Sequence, residues 1–446
     1  MAHKILIIGG VGGGATVAAQ IRRNDKESEI ILFDKGSYIS FSNCGMPYYI
    51  GDTVEERDQL LYPEAKFAEK YNLVIRTNTE VVSIDRDRKT IIYKDTAGNH
   101  KESYDKLILS PGASAATPPI EGLNADRTFP LHTIPDMDAI HSFIKRNKPK
   151  TAAIVGAGFI GLEMVENLHA LGLNCTMIDR SEQVIKLVDS DMGSIVQKHL
   201  NDKGVTVILN DGLDYYSDEG KRLHLNSGEV IDADMTIMAV GIKPNTKLAI
   251  ESSLKLGDTG AVFVNEFMQT TDPAIYALGD VVETKDLITE TPRHIALAWP
   301  AHRQAFIIAS HLNGERIPYK GTLGSAILKV FDLTVGAAGH NSASLKKLGI
   351  PFKEAVIESY SHVRYYPGSD KLWIKILFDE ESGRLYGAHT VGFEGVDKRL
   401  AVLSTAISAK LNVADLPELE LAYAPPYSNA KDPINILGYK ASAMLK

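Results

Sequence analysis

Cys44 and Cys175 are the only thiols in the chain. Cys44 lies in the run Ser40-Phe41-Ser42-Asn43-Cys44-Gly45-Met46-Pro47-Tyr48. Asn43 reads there as a helix N-cap and Pro47 as a first-turn residue. A thiol at a helix N-terminus has a lowered pKa and attacks more readily near neutral pH. A second cysteine in place of Tyr49 would complete a local redox disulfide. Without one, Cys44 must act alone, as a thiolate, a sulfenic acid or one half of a mixed disulfide with a substrate. Cys175 sits in an apolar strand-like run, where a buried and inert thiol is expected. Two cysteines exclude a disulfide scaffold and a Cys-rich zinc or iron–sulfur centre, so no metal site is expected. They suit a reducing cytoplasm.

Two glycine turns supply the second kind of chemistry. The first follows Ile5-Leu6-Ile7-Ile8 and reads Gly9-Gly10-Val11-Gly12-Gly13-Gly14; a helical stretch to Arg23 and the strand Ile30-Ile31-Leu32-Phe33-Asp34 come next. The second follows Ala152 to Val155 and reads Gly156-Ala157-Gly158-Phe159-Ile160-Gly161, before a helix to about Leu171 and the strand ending in Asp179. Each is the βαβ dinucleotide fingerprint, with its acid 25 residues after the first glycine in the first copy and 23 in the second. The first glycine makes the turn, the second admits the pyrophosphate, and the third lets helix and strand pack closely. The helix N-terminus holds the phosphates, and the acid takes the ribose hydroxyls. The first copy departs from the pattern, because Val11 stands at the middle-glycine position. Two bound dinucleotides in one chain imply electron transfer between them, with FAD and NADH or NADPH as the usual pair. Asp179 favours NADH, since its carboxylate would repel a 2′-phosphate, although Arg180 follows it.

These motifs need a large, ordered chain. There are 446 residues, 44% hydrophobic and 23% charged, enough for two to four domains with their own cores. A net charge of −8 gives no footprint for nucleic acid. Neither a secretory leader nor an apolar stretch long enough to span a bilayer is expected. Buried strands ending in turns are expected at Leu107-Ile108-Leu109-Ser110-Pro111-Gly112 and Thr236-Ile237-Met238-Ala239-Val240-Gly241, where the chain crosses between domains. A further strand, Ile275-Tyr276-Ala277-Leu278, ends in Gly279-Asp280. From about Gly321 the glycine fingerprint does not recur. Strands at Ala326–Phe331 and Leu372–Phe378 and a helix at Val396–Leu411 predict a separate α+β domain. On the helix after the first glycine turn, Thr16, Gln20 and Arg23 share one face while Val17, Ala18 and Ile21 can pack. That face is either solvated or built for a phosphorylated ligand. Tyr365 and Tyr423 read on their own as interface anchors.

Over its whole length the chain resembles the single-cysteine branch of the pyridine nucleotide–disulfide oxidoreductases, and within it the coenzyme A–disulfide reductases. The resemblance rests on Ser40-Phe41-Ser42-Asn43-Cys44, on Tyr365-Tyr366-Pro367-Gly368, and on Ala422-Tyr423-Ala424-Pro425-Pro426-Tyr427-Ser428 followed by Lys431-Asp432. It implies an α/β fold with two Rossmann-like dinucleotide-binding domains and a C-terminal α+β dimerisation domain. The FAD domain would be discontinuous, residues 1–115 and 246–320, around an NAD(P)H domain, 116–245. The dimerisation domain would span 321–446. FAD would meet Gly9, Gly10, Gly12, Gly14, Asp34, Ser110, Gly112, Gly279 and Asp280, the last on its ribityl chain. The nicotinamide would meet Gly156, Gly158, Gly161, Asp179 and Gly241. Coenzyme A would meet Thr16, Gln20, Arg23, Ser40, Asn43, His302, Tyr365 and Lys431, and more weakly Lys66 and Lys70.

The implied reaction is NAD(P)H-driven reduction of coenzyme A disulfide to two thiols through a Cys44–CoA mixed disulfide. Tyr423 and Tyr365 would give the leaving sulfur its proton, in a homodimer whose active site is completed across the interface. Peroxidases and oxidases of the branch carry a histidine where this chain has Gly12, which argues against those activities. Persulfide reduction and NADH oxidation are the enzymatic alternatives, and a flavoprotein redox sensor is the alternative of another class. No rhodanese-like domain is expected after residue 446, which disfavours the persulfide reading.

Overall fold

In a computed structural model, residues 3–445 are described. The outer limits of the expected first and last domains, residues 1 and 446, lie outside them. The chain divides into two compact units. The first comprises residues up to Ala116, His132–Met137 and Ile242–Thr322; the second comprises Thr117–Leu131, Asp138–Gly241 and Leu323 onward.

The core of the first unit is a five-stranded parallel sheet ordered Ile275–Ala277, Lys106–Leu109, Lys4–Ile8, Glu29–Phe33, Val74–Arg76. Its central strands are apolar without alternation because both faces are covered, one by helices and the other by Val81, Ile91 and Tyr93 of an antiparallel meander. The helix Gly12–Asn24 packs against the helix Ala298–Leu312. Val17, Ala18 and Ile21 are buried, and Thr16, Gln20 and Arg23 lie on the open side, so the helical face read from spacing is present. An antiparallel meander, Glu80–Asp85, Thr90–Asp95 and Gly98–Ser103, is inserted before the Lys106–Leu109 strand.

The second unit repeats the parallel design in the order Thr206–Ile208, Asn174–Ile178, Thr151–Val155, Met235–Met238, Thr128–Phe129. It also contains a five-stranded antiparallel sheet ordered Ala326–Val330, Leu333–Gly339, Leu385–Gly392, Lys371–Phe378, Lys353–Tyr360. The helix Val396–Ser408 packs on that sheet. An ion cluster around the buried Lys375 ties the parallel part to the antiparallel one. Lys375 Nζ lies 2.9 Å from Asp189, 3.1 Å from Asp191 and 2.9 Å from Glu354. Among the described residues, no helix is long and apolar enough to cross a membrane.

Candidate active site

Both glycine turns have the geometry that the fingerprint requires. Gly9 and Gly156 hold φ of +99° and +113°, a region where a side chain is strained. A Cβ on Gly14 would lie 1.7 Å from Gly9 O, and one on Gly161 would lie 1.9 Å from Gly156 O. The third glycine of each turn is therefore fixed by packing. The middle position differs in kind. Val11 has φ −95° and ψ −165°, and Gly158 has φ −88° and ψ −165°. Any residue adopts that extended backbone, so Val11 departs from the pattern without strain. A Cβ on Gly12 or Gly158 would meet nothing within 4 Å, which leaves both loops open to a phosphate group.

The two acids close their turns alike. Asp34 accepts the N–H groups of Gly10 and Gly36, each at 2.7 Å. Asp179 accepts Ala157 N–H at 2.7 Å, and Ser181 through both N–H and Oγ. Their titration differs. Burial pushes the Asp34 carboxyl up against the pull of its N–H donors. For Asp179 burial also acts upward, but the donors at Ala157 and Ser181 outweigh it and hold the carboxyl below its ordinary value. Asp179 is therefore ionised where a nucleotide ribose would lie, and the neighbouring Arg180 is exposed.

Other expected dinucleotide contacts lie at turns of the first unit. Ser110 N–H donates to Ile8 O at 2.8 Å, and Gly112 has φ +65°. Gly279 has φ +78°, and its N–H is held at 2.7 Å by Oε1 of Gln304. Gln304 is a buried residue of the long helix that sequence reasoning did not single out. The next residue, Asp280, is pushed up by burial, partly offset by His294 and His132. Gly241, in the second unit, has φ +110°. A second unforeseen group there is Glu163, just past the glycine turn; burial, reinforced by Glu166, pushes its carboxyl up to about 7.

Cys44 is an exposed thiol outside any disulfide. It lies in a 3₁₀ turn, Asn43–Gly45, followed by the short helix Met46–Ile50. Asn43 is not the expected N-cap. Gly45 occupies that position, and the Asn43 side-chain amide donates instead to His132 O at 3.0 Å. Pro47 does lie in the first turn. Nearby, Ser40 has φ +48°, and its N–H donates to Gly10 O at 2.9 Å, so the loop before Cys44 is fastened to the first glycine turn. Cys175 is buried, which pushes its thiol up to about 12 and keeps it protonated.

The open face of the Gly12–Asn24 helix borders a groove of ≈ 450 Å³ lined by Thr16, Gln20, Trp299, His302, Arg303 and Phe306. Thr16 Oγ1 donates to Gly12 O at 2.7 Å and lies 2.8 Å from His302 Nδ1. The hydroxyl proton is committed to Gly12 O, so Thr16 Oγ1 accepts from His302 Nδ1. Trp299, Arg303 and Phe306 were not foreseen, because their helix reads as an apolar core element. Arg23 and Lys70 converge on Tyr71: Arg23 Nη2 lies 3.4 Å from its hydroxyl, and Lys70 Nζ lies 5.3 Å from its ring centroid. Lys66 is exposed on the same helix, Glu64–Tyr71.

Tyr365, Tyr423 and Lys431 are exposed residues of the second unit. Tyr365 and Tyr423 share a hydrogen bond, which raises the Tyr365 phenol above its ordinary value.

Paired dinucleotide turns, a single exposed cysteine and an antiparallel C-terminal sheet define a flavin- and nicotinamide-linked thiol oxidoreductase. Residues 3–305 match the pyridine nucleotide-disulphide oxidoreductase family, and residues 325–433 match that family's dimerisation domain. The chain belongs to this family. It is 41% identical over 442 residues to a coenzyme A disulfide reductase of Staphylococcus aureus (strain JH9), covering 98% of this chain and 99% of that one. Reduced CoADR-RHD of Bacillus anthracis matches with a TM-score of 0.98 and 46% identity, over 100% of this chain and 81% of that one. An NAD-dependent persulfide reductase from A. fulgidus matches with a TM-score of 0.96 and 36% identity, over 98% and 83% of the two chains.

Proposed function

We propose that the protein is an FAD-dependent coenzyme A–disulfide reductase driven by NADH or NADPH. The observation that carries this reading is the lone exposed Cys44 on a loop tied to the first glycine turn, with a groove lined by Thr16, Gln20, Trp299, His302, Arg303 and Phe306 beside the helix after that turn. We assign FAD to the turn at Gly9–Gly14 and the nicotinamide dinucleotide to the turn at Gly156–Gly161. The open space at Gly12 and Gly158 and the acids Asp34 and Asp179 fit those groups. Residues 1–115 with 246–320, 116–245 and 321–446 serve as FAD, nicotinamide and dimerisation domains. The functional form is a cytoplasmic homodimer in which Tyr365 and Tyr423 of one subunit complete the other's site.

Bound FAD supplies the relay that passes two electrons from the nicotinamide to sulfur. The protein residues do the rest. Arg23, Lys70 and the groove between Thr16 and His302 hold the nucleotide end of coenzyme A; Ser40 and Asn43 flank the reacting sulfur, and Lys431 also contacts coenzyme A. Cys44 thiolate attacks one sulfur of the disulfide. A Cys44–CoA bond forms and one CoA thiolate leaves. Tyr423, hydrogen-bonded to Tyr365, gives that thiolate its proton. Two electrons and a proton then cleave the mixed disulfide, releasing the second CoA thiol and restoring Cys44. The balance is NADH, one proton and one disulfide in, and NAD⁺ and two thiols out. Mass spectrometry of the intact, unreduced protein tests the covalent step. A gain matching one CoA, lost in Cys44→Ser, supports it; a gain of one or two oxygens points to oxidase or peroxidase chemistry.

The persulfide reading has one observation in its favour. A single exposed thiol serves a persulfide as well as a disulfide, and the A. fulgidus enzyme shares the fold across almost the whole chain. Comparing kcat/KM for coenzyme A persulfide and coenzyme A disulfide separates the two.

A further inference from the structure

Two loops of the second unit carry the exposed tyrosines. Residues 361–370 join the strands Lys353–Tyr360 and Lys371–Phe378 and bear Tyr365. Residues 419–432 precede the helix Pro433–Ala443 and bear Tyr423. Neither tyrosine is held by burial, so something else must set their spacing.

Arg399 connects the loops. It projects from the helix Val396–Ser408 and is 1% exposed. Its Nη2 donates to Ser361 O at 2.9 Å on the Tyr365 loop. The same nitrogen donates to Ser428 Oγ at 3.1 Å and Asp432 Oδ2 at 3.0 Å on the Tyr423 loop. Nη1 anchors the guanidinium to Gly395 O at 3.2 Å.

Each loop is stiffened where Arg399 grips it. Ser428 Oγ donates to Asp432 Oδ2 at 2.6 Å, and Asp432 caps the last helix through Ile434 N–H. In the other loop, Asp370 N–H donates to Ser361 Oγ at 3.2 Å, and Ser369 Oγ donates to His362 O at 2.8 Å. Nη2 has two hydrogens fixed in the guanidinium plane and shared among its three acceptors on the two loops, while Nη1 holds that plane through Gly395 O. A lysine ammonium has rotating donors and no second nitrogen to fix its direction.

We propose that Arg399 is a positioning residue for disulfide reduction, bridging the two loops so that Tyr365 and Tyr423 stay in contact and act as one proton donor. This rests on the proposed role of the tyrosines. Arg399 touches neither phenol; it acts through Ser361, Ser428 and Asp432.

The test uses the holoenzyme dimer and stopped-flow traces of both half-reactions. Arg399→Lys keeps the charge opposite Asp432 and loses the plane that Nη1 fixes through Gly395 O. It should leave flavin reduction by NADH unchanged and slow reoxidation by coenzyme A disulfide about 10- to 100-fold, the scale of a small misplacement of reacting groups. Adding Tyr423→Phe to Arg399→Lys should cost little beyond Tyr423→Phe alone. Equal losses in both half-reactions, unchanged reoxidation, or fully multiplicative losses in the double variant would each overturn the proposal. If Tyr423→Phe alone reoxidises at the wild-type rate, the tyrosine reading itself fails, and this inference with it. Should Arg399→Lys not fold, Ser428→Ala removes one link without removing charge and should show the same split at smaller size.

Discussion

Thr16 Oγ1 lies 2.8 Å from Nδ1 of His302, joining the helix after the first glycine turn to the long helix Ala298–Leu312. The groove beside this bond combines an indole, a phenyl ring and a guanidinium, the set that suits a phosphorylated nucleotide. Arg23→Ala and His302→Ala should each raise KM for coenzyme A disulfide about tenfold, the loss of one hydrogen bond to a charged group. Flavin reduction by NADH should not change. Pantethine, the disulfide that lacks the nucleotide, should be turned over equally by wild type and variants. A matching loss with pantethine would show that these residues do not read the nucleotide.

Asp179 is the residue proposed to govern the choice of nicotinamide. Its carboxylate is held below its ordinary pKa and is ionised throughout the physiological range. NADH should therefore be preferred to NADPH. Asp179→Ala should narrow that preference about tenfold, by losing ribose hydrogen bonds and removing repulsion of the 2′-phosphate. The ratio of kcat/KM values for the two cofactors measures it, and a wild-type preference for NADPH would contradict the assignment.

The tyrosine pair should affect one half-reaction. Thiolate release near neutral pH needs a proton, because a free thiol has a pKa of about 8.5. Tyr423→Phe should lower turnover with coenzyme A disulfide about 10²-fold. Tyr365→Phe should show a smaller defect and the double variant the largest. Equal slowing of flavin reduction would instead make the tyrosines interface anchors.

His389 should make the fold sensitive to acid. It is fully buried, its Nδ1 accepts Asp189 N–H at 3.4 Å, and burial holds the imidazole down at about 4. The unfolded chain binds a proton on this residue near pH 6.5, whereas the folded one does so only near 4. Between those values the unfolded state carries more protons, so stability falls as pH falls, by about 3 kcal/mol across the window. Urea titrations at pH 7 and pH 5, which span about 2 kcal/mol of this loss, should show it in the wild type and a smaller one in His389→Gln. An identical pH dependence in both would refute it.

The dinucleotide turns were legible in the sequence because their constraints are local. Gly9 and Gly14 contact each other within one turn, and Asp34 reaches back to that turn by hydrogen bonding to Gly10. The open face of Thr16, Gln20 and Arg23 was legible for the same reason, since helical spacing alone defines it. Trp299 and Gln304 were not, because their partners lie on distant segments and their helix is predominantly apolar. Arg399 was hidden in another way. A lone arginine in an amphipathic helix reads as surface until Ser361, Ser428 and Asp432 are seen to enclose it. Asn43 misled because a capping residue beside a short helix can spend its amide elsewhere, here on His132 O.

The central claim is that Cys44 carries electrons from a nicotinamide to coenzyme A disulfide. Anaerobic titration of the holoenzyme tests it most directly, following NADH absorbance and released thiol together. The account predicts two CoA thiols for each NADH consumed over many turnovers, with Cys44→Ser retaining FAD and releasing none. Absence of thiol release by the wild type, or undiminished release by Cys44→Ser, would contradict it.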